Sequence, residues 1–144
     1  MRRPHPDSWH PMQQEFPREM KSLEKVFDFL HGFMSQHRVK KQTADDVDLV
    51  VEELFTNMVK YNALAKERIS ISLDKSSNQL SVCLIDPNAT PFDLTKTPEV
   101  NLNIPLKDRK PGGLGIHLVK RLMDSVQYNH EDGKSYITVT KRLE

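Results

Sequence analysis

Apolar residues along the chain follow two different periods, and each period predicts a different kind of element. Val47, Val50, Val51, Leu54, Phe55 and Met58 keep the i, i+3, i+4, i+7, i+8 spacing of a helix with one buried face. That helix is expected from Thr43, a suitable N-cap, to about Ala65, with Asp45 and Asp46 at its positive end. Met20, Leu23, Val26, Phe27, Leu30, Phe33 and Met34 predict an earlier amphipathic helix from Arg18 to about His37. Its Met and Phe stripe reads as core or dimer interface rather than as a cofactor box. Elsewhere the period is two. Ile69, Ile71 and Leu73 alternate with Ser70, Ser72 and Asp74, and Leu80, Val82 and Leu84 alternate with Ser81, Cys83 and Ile85. Joined by the turn Lys75-Ser76-Ser77-Asn78, they predict an antiparallel hairpin whose second strand ends at Asp86.

The remaining pattern completes one domain. Leu114, Leu118, Val119, Leu122 and Met123 form the buried side of a third helix, with His117, Lys120, Arg121 and Asp124 facing out. Two closing strands follow, around Ser125 to His130 and Ser135 to Lys141, across the turn Glu131-Asp132-Gly133-Lys134. Gln14 to Phe16 begins an edge strand, and residues 1–14, with three prolines and little that can pack, read as a flexible arm. The fold class expected for residues 15–144 is α+β: a two-layer sandwich, mainly antiparallel sheet, with helices on one face. One stretch has no period. Residues 87–111 hold five of the nine prolines and read as a lid or binding segment.

Composition narrows the function without choosing it. The 144 residues, 37% hydrophobic and 28% charged, suffice for one soluble core. A net charge of +1 argues against a protein built to bind nucleic acid or acidic lipid. The single cysteine, Cys83, excludes an internal disulfide framework and a cysteine zinc site, and its apolar run suggests a buried structural thiol. No apolar run reaches membrane-spanning length, and the arginines near the N-terminus have no apolar segment behind them, so a cytoplasmic protein is expected.

Three features carry candidate chemistry. Glu53 and Asn57 stack one turn apart on the shoulder of the buried helix face. The amide oxygen suits a hard cation such as magnesium, and the carboxylate can accept a proton from an attacking hydroxyl. Asp86 stands at a strand end, where a carboxylate can accept from an exocyclic amine. Gly112, Gly113 and Gly115 open a helix, where backbone N–H groups and the helix dipole favour an anion. Taken singly, each also fits a blander role: a solvated pair, a turn residue, a tight bend. The phosphate loop G-x-x-x-x-G-K-[ST], H-E-x-x-H and G-x-S-x-G are all absent.

In order and spacing the three features resemble the GHKL, or histidine-kinase-type, ATPase fold, and most of all its anti-sigma factor serine-protein kinases. The likeness lies in ELFTN (53–57), DPNATPFD (86–93) and GGLGIHLVKRLMD (112–124), and spans roughly residues 14–143. It implies Glu53 as general base, Asn57 as magnesium ligand, and Asp86 as the adenine contact. Gly112, Gly113, Leu114 and Gly115 would be the box beside the phosphates of ATP or ADP. It further implies phosphorylation of a STAS-type anti-sigma factor antagonist, sequestration of a sigma factor by partner switching, and homodimerisation. One departure stands out: the family's Asp-x-Gly is Asp86-Pro87-Asn88 here, with asparagine, the residue that next best tolerates a left-handed backbone. Lys107, Arg109 and Lys110 in the lid can reach phosphates or form a solvated face. The alternative to a kinase is a catalytically inactive nucleotide-sensing or protein-binding module of the same fold. Glu53 favours the kinase and Asn88 the binding module. A sensor histidine kinase fits less well, because only one amphipathic helix precedes the Glu53/Asn57 helix.

Overall fold

The computed structural model describes residues 11–61, 65–87 and 113–143, with side chains in the last segment from residue 117 onward. Five strands form one antiparallel sheet: β1 (Met12–Phe16), β2 (Ile69–Lys75), β3 (Gln79–Asp86), β4 (Ser125–Glu131) and β5 (Lys134–Arg142). Their order is β1-β2-β3-β5-β4. Three helices complete the domain: α1 (Leu23–Gln36), α2 (Lys41–Tyr61) and α3 (Gly113–Leu122).

Alternation decides which face of the sheet is covered. Ile69, Ile71 and Leu73 of β2, Leu80, Val82 and Leu84 of β3, and Ile137 and Val139 of β5 are buried, while their neighbours in sequence are half-exposed. In register, Ile71 sits opposite Leu84, which in turn sits opposite Ile137, so one apolar band crosses three strands. Against this band α1 packs Val26, Leu30, Phe33 and Met34, and α2 packs Val47, Val50, Val51, Leu54, Phe55 and Met58. A sheet with one dry face, covered by helices, is the two-layer α+β architecture that the period-two pattern predicts. The β4–β5 turn is equally legible. Asp132 and Gly133 have φ of 54° and 77°, the two left-handed central residues of a tight hairpin.

Several boundaries differ from the sequence expectation. The first strand starts at Met12, so Met12 and Gln13 belong to the edge of the sheet rather than to an arm; residues 1–10 lie outside the described part. The first helix is preceded by a 3-10 turn at Met20–Ser22, anchored where the Ser22 hydroxyl donates to the Pro17 carbonyl at 2.7 Å, and Met20 stays 45% exposed. Thr43 is not the cap of α2. The helix already starts at Lys41, because Lys41 pairs with Asp45 at 2.9 Å and Gln42 donates to Asp46 at 3.0 Å, each one turn on. Its described part ends at Tyr61, and Ala65 is not helical. On α3, Val119 is buried and Leu122 half-buried, with Met123 buried just beyond, but Leu118 is 38% exposed. The i, i+4 pair Val119/Met123 defines the inward stripe of so short a helix, and Leu118 is left on its shoulder. Cys83 points to the open face of the sheet, half-buried opposite Thr138. Partial burial pushes its thiol pKa up, and a hydrogen bond with Thr138 opposes that.

Candidate active site

The expected pair is present on α2. Asn57 is buried and its Nδ2 donates to Oε1 of Glu53 at 3.2 Å. The helix repeat makes this contact, and the core beneath holds it: Leu54, Phe55 and Met58, on the same side, are anchored against the sheet. With its N–H₂ held by Glu53, the Asn57 amide has Oδ1 as its acceptor atom. Glu53 is half-exposed and its second oxygen is left to accept a proton. One turn further along the same face stands Tyr61. Its phenol pKa is raised, first by partial burial and then by the negative charge of Glu53. Glu53, Asn57 and Tyr61 therefore form one polar row along the helix, of which the sequence pattern suggests only the first two.

Asp86 faces the covered side of the sheet. It continues the inward register Leu80, Val82, Leu84 and is itself buried, beside buried Ser135 of β5. A carboxylate on the dry face needs a partner. That partner is Arg18, from the link between β1 and the 3-10 turn: Nη1 donates to Oδ2 at 3.0 Å and Nη2 to Oδ1 at 2.5 Å. Arg18 Nη1 also donates to the Met58 carbonyl at 3.4 Å. One guanidinium thus links the Asp86 carboxylate at the end of β3 to the Met58 carbonyl of α2, one residue beyond Asn57. Sequence reasoning missed Arg18; its partner lies 68 residues away, and no local spacing signals it.

The third feature is described in part. Gly113, Leu114 and Gly115 form the first turn of α3, which packs against α2. Gly112, Asn88, the lid from 88 to 111 and its Lys107, Arg109 and Lys110 lie outside the described residues, as does the Leu114 side chain. Among the described residues, no group of three or more His, Cys, Asp or Glu side chains is placed to hold a metal ion.

Comparison with known proteins converges on the same fold. The family model described as a histidine kinase-like ATPase domain matches residues 16–141. A serine-protein kinase RsbW of Listeria innocua is 29% identical over 120 residues, covering 79% of this chain and 75% of that protein. One from Bacillus anthracis is 26% identical over 106 residues, covering 69% and 64%. Among solved structures, the RsbU and RsbW domains of Rv1364c from Mycobacterium tuberculosis match with a TM-score of 0.68 at 13% identity, over 93% of this chain and 32% of that one. The SiaB-SiaC complex of Pseudomonas aeruginosa matches at 0.61, again at 13% identity, over 92% and 88%. Among the described residues no helix is long and apolar enough to cross a membrane.

Proposed function

Because the chain belongs to the histidine kinase-like ATPase domain family, we propose that it is an ATP-dependent protein-serine kinase and anti-sigma regulator. In this reading it phosphorylates a STAS-type antagonist and sequesters a sigma factor by partner switching, as a homodimer in the cytoplasm. The observation that supports it best is the Glu53–Asn57 hydrogen bond, 3.2 Å long, which engages the Asn57 N–H₂, leaves Oδ1 as its acceptor and holds a carboxylate beside it. A pure binding module has no need of a base next to a metal ligand. The similarity to proteins named serine-protein kinases points the same way.

Each residue then has a task. Asn57 Oδ1 would hold magnesium, which when bound would supply charge neutralisation at the phosphates. Asp86 accepts from the exocyclic amine of adenine, with Asn88 in the loop beside the base. Gly112, Gly113, Leu114 and Gly115 bring backbone N–H groups to the phosphates at the start of α3. Glu53 takes the proton of the substrate serine as its oxygen bonds to the γ-phosphorus and the bond to the bridging oxygen of ADP breaks. Transfer of label from ATP to a STAS-type protein tests this. Glu53→Ala should slow transfer by about a hundredfold or more and leave ATP affinity nearly unchanged. An equal loss of both would contradict the assignment.

One observation favours the second reading, a nucleotide-free or nucleotide-sensing binding module. Both Asp86 oxygens already accept from Arg18. If that pair fills the base site, no nucleotide enters it.

A further inference from the structure

Lys141 is a charged side chain under the helices that the proposed chemistry leaves unused. It is half-buried and continues the inward register Ser135, Ile137 and Val139 of β5, opposite buried Leu80. Its ammonium donates to the carbonyl of Leu122, the last residue of α3, at 2.5 Å. It also lies 3.8 Å from Oδ2 of Asp46 in the second turn of α2. A cation at a helix C-terminus meets the negative end of the dipole and satisfies a carbonyl that has no partner within the helix. The neighbours of Lys141 grip the same point. The Asp124 N–H donates to the Thr140 carbonyl at 2.8 Å, and the Arg142 N–H to Asp124 Oδ2 at 2.5 Å. The Ser125 and Thr140 hydroxyls are hydrogen-bonded to each other. Three consecutive residues of β5 thus fix where α3 ends.

This anchorage is remote from the candidate site. In the β3–β5 register Asp86 sits opposite Ser135 and Leu80 opposite Lys141, so about 20 Å of strand separates the two ends. The ten residues of α3 set its glycine turn about 14 Å from the Leu122 carbonyl. A helix this short moves as one body, so the hold on its last carbonyl sets the aim of its first turn. A remote shift of about 1 Å is enough to spoil a contact that depends on geometry. We propose that Lys141 is a positioning residue for phosphate binding: by holding the Leu122 carbonyl it fixes the angle at which the Gly113-Leu114-Gly115 turn meets the phosphates. The inference rests on the reading of that turn as the phosphate box. Lys141, in the last strand and outside all three motifs, acts on the phosphates through α3.

The test uses the full chain as wild type, Lys141→Met, which keeps the apolar stem and removes the charge, and Lys141→Arg, which keeps the charge. Residual dipolar couplings of the backbone N–H groups read the direction of α3 against the sheet without any nucleotide. In Lys141→Met the α3 couplings should depart from the frame that still fits α2 and the five strands, and Lys141→Arg should restore part of the fit. Calorimetric titration with magnesium then compares ATP with adenosine, which lacks the phosphates. Lys141→Met should bind ATP about tenfold more weakly, the usual worth of a hydrogen bond from a charged group, with adenosine affinity little changed. A merely structural role would lower the unfolding midpoint and leave the couplings and both affinities of the folded protein where they were. Unmoved α3 couplings, or an unchanged ratio of ATP to adenosine affinity, overturns the proposal. Should Lys141→Met not fold, Lys141→Gln, a neutral donor on a shorter stem, carries the same comparison. A wild type that binds ATP no better than adenosine removes the reading of the glycine turn as the phosphate box, and the proposal with it. A wild type that prefers ATP, with variants that share its preference in full, removes only the role of Lys141.

Discussion

Glu53, Asn57 and Tyr61 follow one another at single-turn intervals on α2, and the charge on the first is felt by the last. The Tyr61 phenol is raised by burial and, to a smaller extent, by Glu53. Replacing Glu53 by Gln removes the negative charge and keeps the shape. The Tyr61 pKa should then fall, while staying above its ordinary value because burial, the larger cause, persists. A pH titration of the Tyr61 ring resonances checks this, and an unmoved midpoint would mean that the two groups do not face each other. At this scale the sequence is legible where partners are close along the chain. The Glu53/Asn57 contact follows from helix geometry alone, and the inward direction of Asp86 from the alternation Leu80, Val82, Leu84. Arg18 is not legible, because only the packing of β1, α2 and β3 brings it to a carboxylate 68 residues away.

Elements were legible in kind and less so at their ends, since caps depend on a few local contacts. The end of α1 shows how. The Val39 N–H reaches the Met34 carbonyl at 2.9 Å and the Arg38 N–H reaches Ser35 at 3.2 Å, the paired bonds of a Schellman motif. The motif places its left-handed residue at Arg38, with φ of 54°, where glycine is the usual occupant. Arg38 is exposed, so its side chain gives little back. Arg38→Gly should stabilise the protein by about 1 kcal/mol, the left-handed cost less the extra freedom glycine has when unfolded. Thermal or denaturant unfolding measures it; a destabilised variant would show that Arg38 makes contacts that offset the strain. Thr43 misled as a cap because its hydroxyl is a generic signal, whereas Lys41–Asp45 and Gln42–Asp46 pairs start the helix a half-turn sooner. Leu118 misled because apolar spacing fixes a stripe only to within its shoulders.

Across the whole molecule the architecture was legible because its two layers have different periods. Strands with one wet face and helices with one dry face can satisfy each other in few ways, and helices over one side of an antiparallel sheet is the simplest. The order of strands was not legible: β3 pairs with β5 across the third helix, and nothing local announces that register. The consequence for function is that β3 ends at the centre of the sheet, under α2, with Asp86 turned toward the helix that carries Glu53 and Asn57. The proposed kinase chemistry requires that convergence to be a magnesium–nucleotide site. Calorimetric titration of ATP, with and without magnesium, into wild type and Asn57→Ala tests it most directly. Wild type should bind ATP more tightly with magnesium, and Asn57→Ala should lose that gain while keeping the magnesium-independent part. Failure of wild type to bind ATP, or an Asn57→Ala variant that responds to magnesium as wild type does, would contradict it.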